Sequence, residues 1–327
     1  MPTAFVTGAT GFVGINLVRE LLAERWRVVA LHRSGSDSTH LAGAEFVEGD
    51  ILDAESLRRA MPDGVDVVFH VAGDTTLWSR NRDRQMRVNV IGTRNVVETA
   101  IEKRVRRLVQ TSSIAAYGHH DVRVNESTAS TALDSPIHYA RTKRLAEIEV
   151  ERGIALGLDA VLVNPSHIVG PYDASNWSRM IRLVRDEKLP GVPPGGGSWC
   201  HVREVVRAHI AAAERGKRGD HYLLGGTDAT FLEAVKTIGK ITSRKVPDKT
   251  MKPFLLHAYG TVSEWVSLIT GREPDVTREG AILVCENVVA DCSKAERELG
   301  YKAVPLRTMF QDCYEWMIEN DEWRKYE

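Results

Sequence analysis

The chain has few cysteines, no surplus of charge of one sign and no long uninterrupted apolar run. Its 327 residues include four cysteines and no C-x-x-C pair, too few for a disulfide framework, so we predict reduced thiols in a cytoplasmic protein. Forty-three basic side chains nearly balance forty-four acidic ones. No global field therefore recruits nucleic acid or an anionic membrane, and the expected partner is a small molecule.

The most apolar stretch of the later chain, residues 254–269, is interrupted by polar residues and falls short of the roughly 20 apolar residues of a membrane span. We expect a core or interface helix there, and no membrane insertion. The chain opens directly into a strand, without a basic and apolar leader, so no secretory signal is expected. His119-His120-Asp121 lacks further ligands at zinc-like spacing, so no metal site is predicted.

What the chain does have is a glycine-rich turn near its beginning. An apolar strand at residues 3–7 runs into Gly8-Ala-Thr-Gly-Phe-Val-Gly14, and a helical pattern and a second strand at 27–32 follow. Glycine lets the backbone turn sharply and approach a phosphate, and the helix offers unpaired N–H groups. Strand, turn, helix and strand within about thirty residues predict a dinucleotide site rather than a merely structural turn.

Strands and helices continue to alternate along the chain. Further strands are predicted at 44–48, 65–72, 107–111 and 158–164, and helices at 54–61, 83–103 and 139–156. This order predicts an α/β doubly wound parallel sheet, which we assign to residues 1–165. Residues 166–327 are richer in Pro, Gly and Trp and are predicted to form a smaller, mainly substrate-binding portion. Part of 199–225 is expected to pack back on the first domain.

Tyr139 and Lys143 form the candidate acid–base pair. A spacing of four places the phenol and the ammonium on one face of the predicted helix, and the cation reduces the cost of the phenolate, about 4 kcal/mol at pH 7 for an unperturbed tyrosine. The neutral phenol also holds the proton that a reduced carbonyl oxygen needs. Upstream, the strand end Thr111-Ser112-Ser113 directs hydroxyls toward the ligand crevice. A surface helix contact and strand-end capping are the alternatives for these two features.

Taken together, these features resemble the extended short-chain dehydrogenase/reductase superfamily, also called the NAD-dependent epimerase/dehydratase family, over nearly the whole chain. The matching stretches are Thr7-Gly-Ala-Thr-Gly-Phe-Val-Gly14, Gly49-Asp-Ile51, Phe69-His-Val-Ala-Gly73, Asn89-Val-Ile-Gly-Thr93, Ser112-Ser-Ile-Ala-Ala-Tyr-Gly118, Tyr139 with Lys143, and Asn164-Pro-Ser-His-Ile-Val-Gly-Pro171. Two further stretches make it similar to the dihydroflavonol-reductase-like branch, which includes hopanoid-associated sugar epimerases: His70-Val-Ala-Gly-Asp-Thr-Thr-Leu-Trp78 and Leu268-Ile-Thr-Gly-Arg-Glu-Pro274. The resemblance implies a Rossmann fold.

The resemblance also implies roles for single residues. Tyr139 is the catalytic acid/base, Lys143 its pKa partner and ribose ligand, and Ser113 the catalytic hydroxyl, with Ser112 as the alternative. Apart from Tyr139 and Lys143, the expected cofactor contacts up to the fifth strand are Gly8, Thr10, Gly11, Phe12, Val13, Gly14, Asp50, Ile51, Val71, Ala72, Gly73 and Thr111. Beyond it, Pro165, Ser166 and Ile168 are expected at the nicotinamide. A homodimer through the helices holding Asn89 and Tyr139 is implied as well.

The choice of cofactor depends on the end of the second strand. An acidic residue there binds the adenosine ribose, whereas an arginine accommodates a 2′-phosphate. This strand ends in His32-Arg33-Ser34, and the next acid is Asp37. We therefore predict NADP(H), with Arg33 the main determinant and Ser34 assisting. NAD(H) is the alternative if Arg33 is only a solvated charge.

The predicted reaction is reduction of a ketone or aldehyde, with a nucleotide-sugar epimerase as the alternative and a non-catalytic NADP sensor as a third reading. A dehydratase is disfavoured because Ile114 and Ala115 stand where that branch commonly has Asp-Glu. A bulky or aromatic substrate would face side chains after the fourth, fifth and sixth strands, namely Thr75, Thr76, Trp78, Ala115, Tyr172, Asn176 and Trp177. Trp78 and Trp177 are alternatively core residues.

Overall fold

The structure is a computed structural model that describes residues 1–175 and 177–320. Its strands are β1 Thr3–Thr7, β2 Arg27–His32, β3 Glu45–Glu48, β4 Val67–His70, β5 Arg107–Thr111, β6 Ala160–Pro165, β7 His167–Val169, β8 Gly196–His201, β9 His221–Leu224, β10 Thr227–Thr230 and β11 Asn287–Val288. Its α-helices are α1 Phe12–Ala23, α2 Ala54–Ala60, α3 Arg82–Met86, α4 Gly92–Glu102, α5 His138–Ala155, α6 Trp177–Arg185, α7 Val202–Arg215, α8 Phe231–Thr242, α9 Pro253–Thr270, α10 Arg278–Leu283, α11 Ser293–Leu299 and α12 Leu306–Glu319. Asn176, one of the substrate candidates, lies outside the described residues.

Seven parallel strands form the main sheet, in the order β3-β2-β1-β4-β5-β6-β9. The predicted α/β doubly wound fold is thus confirmed. The apolar residues of α1 and α7 cover one face of the sheet, and those of α2, α4 and α5 cover the other. The order reverses between β1 and β4, so a crevice for ligands opens at the carboxyl ends of these two strands.

The long helix predicted over 83–103 is divided into three parts. A π-helical turn, Arg87–Ile91, joins α3 to α4. Asn89 lies in this wider turn with its side chain buried. Its amide exchanges hydrogen bonds with the backbone of Asp74, so the turn is bound to the loop that follows β4.

The later chain builds a second, four-stranded sheet around β8, with β10 antiparallel to it and β7 and β11 parallel. Its core is aromatic, and Trp199 and Phe231 are buried at a ring-centroid distance of 5.7 Å. The segment 199–225 also reaches the main sheet, because β9 pairs with β6 and α7 packs against α1.

Helix α9 contains the stretch for which we expected a core or interface helix, and the core alternative is wrong. Its inward face consists of Leu256, Gly260, Glu264 and Ser267, whereas most of its apolar side chains are exposed. The inward face is held by polar contacts: Glu264 accepts hydrogen bonds from the N–H groups of Ser79 and Arg278. Within the described part of the chain, no helix combines the length and apolarity needed to cross a bilayer.

Burial lowers the pKa values of three histidine side chains, His70, His167 and His209, to about 3, 4 and 4. In the unfolded chain they protonate near pH 6.5, so the unfolded state binds more protons below that pH. We expect the free energy of unfolding to fall between pH 7.5 and 5.0, by up to about 2 kcal/mol for each histidine.

Urea titrations at the two pH values measure this loss. His209→Gln should make it smaller, whereas His119→Gln, at an exposed position, should not. Equal stability of the wild type at both pH values would contradict the assignment of neutral buried imidazoles.

Candidate active site

The glycine turn lies at the crevice and leaves room for a phosphate. Gly8 has a left-handed φ of 69°, and a Cβ there would lie 2.5 Å from the backbone nitrogen of Ala72. A Cβ on Gly14 would lie 2.0 Å from the carbonyl oxygen of Gly8. The cap residue of α1 is Gly11, so no side chain of the cap covers the first turn of the helix. The space and the N–H groups of this turn fit a pyrophosphate.

His70 connects the glycine turn to the neighbouring loop. The hydroxyl of Thr93 donates to the carbonyl of Asn89 at 2.6 Å, so it accepts the Nε2–H of His70 at 3.0 Å. The Nδ1 of His70 then accepts from Thr7 at 2.7 Å, and Thr7 accepts from the N–H of Ala72 at 3.3 Å. Only a neutral imidazole satisfies this chain of hydrogen bonds, in agreement with its lowered pKa.

Lys143 is brought to the crevice by α5. The residue is 6% exposed, and its ammonium donates to the carbonyl of Thr111 at 3.1 Å. Burial lowers the pKa of Lys143 to about 8, and the carboxylate of Glu147 opposes that shift. A Cβ on Gly73 would lie 3.4 Å from the ammonium, so the loop after β4 passes directly over the lysine.

Tyr139 lies one turn before Lys143 and is half-buried. Burial raises the pKa of Tyr139 to about 12, a hydrogen bond with Ser113 lowers it, and the carboxylate of Asp74 raises it. The phenol therefore keeps its proton at neutral pH. The ammonium of Lys143 lies 5.9 Å from the centroid of the ring, so the tyrosine, the serine and the lysine predicted from sequence lie together.

Sequence reasoning missed Glu147, a buried carboxylate at the next turn of α5. It is 2% exposed and accepts hydrogen bonds from Ser112 at 2.6 Å, Asn164 at 2.7 Å and Arg144 at 3.2 Å. It therefore joins the ends of β5 and β6 to α5. The four-residue spacing from Lys143 to Glu147 was the signal that could have revealed it. Because Ser112 is bound here, Ser113 is the serine that reaches Tyr139.

A second group of missed residues fixes the first turn of α5. Glu279, on α10, accepts the N–H of His138 at 2.8 Å. The imidazole of His138 lies 2.7 Å from the side-chain oxygen of Gln85, whose amide donates to the carbonyl of Thr76. These contacts position Tyr139 from both the loop after β4 and α10. No sequence signal pointed to Glu279, because it lies 141 residues from its partner.

The expected adenosine contacts lie at the ends of β2, β3 and β4. Arg33 and Ser34 follow β2 and are exposed, while Asp37 binds the N–H and hydroxyl of Thr39. Asp50 is half-buried and accepts from the N–H of Leu52 at 2.9 Å. Ile51 is 7% exposed and packs in the core, in contact with Gly92 of α4.

Several expected nicotinamide contacts belong to the strands themselves. The hydroxyl of Thr111 lies 2.9 Å from His209 of α7, so this side chain faces away from Lys143 while its carbonyl holds the ammonium. Pro165 ends β6 and is buried. The hydroxyl of Ser166 donates to the carbonyl of Ser198, and Ile168 packs partly buried against the core of the main sheet.

Trp78 and Trp177 were predicted to be either substrate-site or core residues. Both lie in packed surroundings. Trp78 is 8% exposed, and its indole donates to the hydroxyl of Ser267 on α9 at 3.1 Å. The ring of Trp177 lies 4.9 Å from His167 and 4.8 Å from Trp199. The indole of Trp78 therefore joins the loop after β4 to α9, and that of Trp177 packs the start of α6 against the second sheet.

The other substrate candidates differ in their exposure. Thr75 is exposed, and the hydroxyl of Thr76 donates to Glu273 at 3.4 Å. The ring of Tyr172 packs against His40 and Trp316 at centroid distances of 5.1 and 5.2 Å. None of these three is among the apolar residues that pack with Tyr139.

The neighbourhood of Tyr139 is apolar. Tyr139 packs against a small buried core of Ala132, Ile137 and Ala140. Partly buried Leu77, Ala115, Ile282 and Leu283 pack against the same core. Leu77 comes from the loop after β4, Ala115 from the turn after β5, and the other two from α10. If a molecule bound with its carbonyl oxygen beside Ser113 and Tyr139, the rest of that molecule would lie near these aliphatic side chains.

Fold and glycine turn together define a dinucleotide-binding protein of the doubly wound class. Residues 4–225 match the family model described as NAD dependent epimerase/dehydratase family, and the chain belongs to this family. The resemblance stated from the sequence is confirmed.

Three relatives are similar over nearly their whole length. A Synechocystis sp. protein called "Putative dihydroflavonol 4-reductase" is 34% identical over 326 residues, covering 95% of this chain and 93% of the relative. The "Sterol demethylase protein B" of Methylococcus capsulatus is 32% identical over 324 residues, covering 97% and 98%. The "4-hydroxy-2-methyl-3-oxo-4-farnesyl-3,4-dihydroquinoline-1-oxide ketoreductase" of Stigmatella aurantiaca is 31% identical over 307 residues, covering 91% of each. The similarity to the dihydroflavonol-reductase-like branch is confirmed.

Solved structures share the fold. That of gox2253 has a TM-score of 0.86 and 34% identity, covering 98% of this chain and 99% of that chain. The Bordetella bronchiseptica enzyme WbmH, solved in complex with NAD+, has a TM-score of 0.78 and 21% identity, covering 98% and 99%. Family and relatives together indicate an NAD(P)-dependent enzyme of the oxidoreductase or epimerase type.

The buried Glu147 leads to a prediction about pH. Its negative charge raises the pKa of Lys143, so Glu147→Gln should lower that pKa below about 8. The ammonium that we expect to bind the cofactor ribose is then lost at a lower pH. Affinity for NADPH should fall as pH rises through about 8 in the wild type, and at lower pH in the variant.

Fluorescence titration with NADPH between pH 6.5 and 10 measures both midpoints. Glu151→Gln is the matched control, since Glu151 binds Arg144 from the same side but is not a cause of the lysine's shift. Identical pH midpoints in all three proteins would contradict the role of Glu147.

Proposed function

We propose that this protein is an NADP(H)-dependent reductase that converts the ketone or aldehyde of an apolar, bulky substrate into an alcohol. The observation that carries the proposal is the phenol of Tyr139, which lies near Ser113 in an apolar surrounding and whose pKa is raised by burial. A pKa of about 12 keeps the proton on the phenol, which is the form required to protonate a reduced carbonyl.

The chain's own residues would act in the following way. Ser113 and Tyr139 would both hydrogen-bond the carbonyl oxygen and stabilise the negative charge that develops on it. Tyr139 then transfers its phenolic proton to that oxygen. Gly8 to Gly14 would hold the pyrophosphate and Lys143 the nicotinamide ribose. A bound nicotinamide cofactor would supply the hydride, which no side chain of the protein can donate.

The apolar residues around Tyr139 favour a reductase over an epimerase acting on nucleotide sugars. A nucleotide diphosphate needs cationic partners, whereas the side chains that share the small buried core with Tyr139 are Leu77, Ala115, Ile282 and Leu283. The names of the relatives from Methylococcus and Stigmatella concern a sterol and a farnesylated ring ketone, both with large apolar parts.

Replacement of Tyr139 tests the proposed proton donor. Tyr139→Phe removes the acid but keeps the ring, so turnover should fall by about 100-fold or more with little change in NADPH affinity. The assay is NADPH oxidation with aryl ketones, β-keto acyl compounds and nucleotide sugars. Tyr314→Phe, on α12, is the matched control and should keep full activity. Full activity of Tyr139→Phe on the substrate found would sink the assignment.

The preference for NADP(H) rests on Arg33. The side chain is exposed at the carboxyl end of β2, one strand away from the glycine turn, where the adenosine ribose is expected. Ser34 follows it and is exposed as well. An arginine at this position would bind a 2′-phosphate through charge-assisted hydrogen bonds.

Arg33→Ala should weaken NADPH binding by about tenfold to a hundredfold and leave NADH binding nearly unchanged, because a hydrogen bond to a charged group contributes about 1.5–3 kcal/mol. Isothermal titration with both cofactors measures the two dissociation constants. Arg307→Ala removes an equally exposed arginine from α12 and should change neither. If the NADPH-to-NADH ratio is the same in all three proteins, Arg33 does not select the cofactor.

We also infer a homodimer through α4 and α5, the helices that the family resemblance implies for pairing. These two helices pack side by side, and Ile91, just before α4, and Ile148 of α5 are each 36% exposed. Sedimentation equilibrium of the wild type and of Ile148→Glu tests this inference.

A further inference from the structure

Helix α9 is amphipathic, but its apolar side faces solvent and its more polar side faces the protein. Phe254, Val262, Trp265 and Ile269 have exposed fractions of 63%, 62%, 73% and 89%. At 100° per residue these positions fall on one side of the helix, together with Leu255. The opposite, buried side carries one leucine among small and polar residues. The helix therefore turns its apolar stripe away from the protein.

The buried side of α9 already has its partners in this molecule. Glu264 accepts two backbone N–H groups, and Ser267 accepts the indole of Trp78. Gly260 allows close approach, since a Cβ there would lie 2.8 Å from the carbonyl oxygen of Thr277. The orientation of α9 is thus fixed, and turning its apolar stripe inward would break these contacts.

The exposed stripe is large and uncharged. It extends along 18 residues, about 27 Å of helix, and the one charged residue between Pro253 and Thr270 is the inward-facing Glu264. Eight large apolar side chains on α9 are at least 46% exposed. Together they form a patch of several hundred Å², a size that marks an interaction site in a soluble domain.

Basic residues flank both ends of the stripe. Lys245, Lys249 and Lys252 precede α9 and are exposed. Among the described residues, no carboxylate lies within 4.0 Å of their ammonium groups. At the other end, exposed Arg80 and Arg272 accompany two exposed carboxylates, Glu273 and Asp275, of which Asp275 pairs with Arg179.

The lysine-rich end favours an anionic partner over a second copy of the chain. In a symmetric dimer through α9, this end would face either the same end of the other helix or the end with Arg80, Arg272, Glu273 and Asp275. The first arrangement brings lysines together, and the second offers them an end on which arginines and carboxylates balance, so neither supplies an anionic surface. An apolar stripe with a cationic border instead complements a layer whose interior is hydrocarbon and whose surface is anionic.

We propose that α9 docks the protein onto an anionic lipid surface, lying in the plane of the interface with Phe254, Trp265 and Ile269 among the acyl chains. Lys249, Lys252 and neighbouring basic residues contact the phosphate headgroups. This mode of binding needs no membrane-spanning segment.

The docked face adjoins the candidate active site. Ser267 of α9 holds Trp78 of the loop after β4, and α10, which packs against α9, places Ile282 and Leu283 beside Tyr139. Docking would therefore bring the apolar wall of the site close to the lipid. This consequence rests on the proposed function, but the docking itself does not.

Vesicle flotation with purified full-length protein tests the proposal. The vesicles consist of phosphatidylcholine alone or of phosphatidylcholine and phosphatidylglycerol in equal parts. Wild type should float with the anionic vesicles, and Trp265→Glu or Ile269→Glu should lower the partition coefficient about tenfold or more, because a buried apolar side chain becomes charged. Lys249→Ala with Lys252→Ala should weaken binding to the anionic vesicles only.

Leu156→Glu is the matched control, since Leu156 is 65% exposed at the end of α5, and it should bind like wild type. An NADPH affinity equal to that of the wild type shows that a variant is folded. If the wild type itself does not bind NADPH, the proposed function fails, but the result of the flotation experiment still stands. The proposal is overturned if wild type does not float with anionic vesicles, or if Trp265→Glu floats equally well. It is also overturned if sedimentation equilibrium shows a wild-type oligomer that Trp265→Glu dissociates while vesicles bind neither protein.

Discussion

The close approach of the Gly8 turn to the loop after β4 is the constraint on which the rest of the site depends. A side chain at Gly8 would collide with the backbone of Ala72, and one at Gly14 would collide with Gly8 itself. The neutral imidazole of His70 holds the two segments together through Thr7. This approach creates the phosphate space at the switch point of the sheet, and the same loop continues over Lys143 at Gly73.

Helix α5 then presents three titratable groups at four-residue intervals, and their surroundings give them different charges. Tyr139 is half-buried among apolar side chains and keeps its proton, whereas Lys143 is buried against a carbonyl and has a pKa lowered to about 8. Glu147 accepts hydrogen bonds from Ser112 and Asn164, and its carboxylate raises the pKa of Lys143. One helix thus carries a proton donor, a cation and the anion that supports the cation.

The sequence was sufficient for the fold and for the placement of Tyr139 and Lys143 on one face of a helix, because both depend on local patterns. Alternating strands and helices, the glycine turn and the Tyr139–Lys143 spacing each lie within a short stretch. The sequence was not sufficient for Glu279, which fixes α5 from 141 residues away, or for the direction in which α9 faces. Apolar content predicted that α9 is a core or interface helix without saying which side faces the protein, and the hydrogen bonds of Glu264 and Ser267 decide which side is inside. Such pairings are visible only once the chain has folded.

The central claim is net reduction with proton donation by Tyr139, and isotope transfer tests it most directly. Single turnover with NADPH deuterated at the transferring C4 position, and with the ketone that the substrate panel identifies, should place deuterium on the carbinol carbon of the product and leave NADP+. A product isomerised without deuterium, together with NAD(H) that stays bound throughout, would contradict the account and indicate an epimerase.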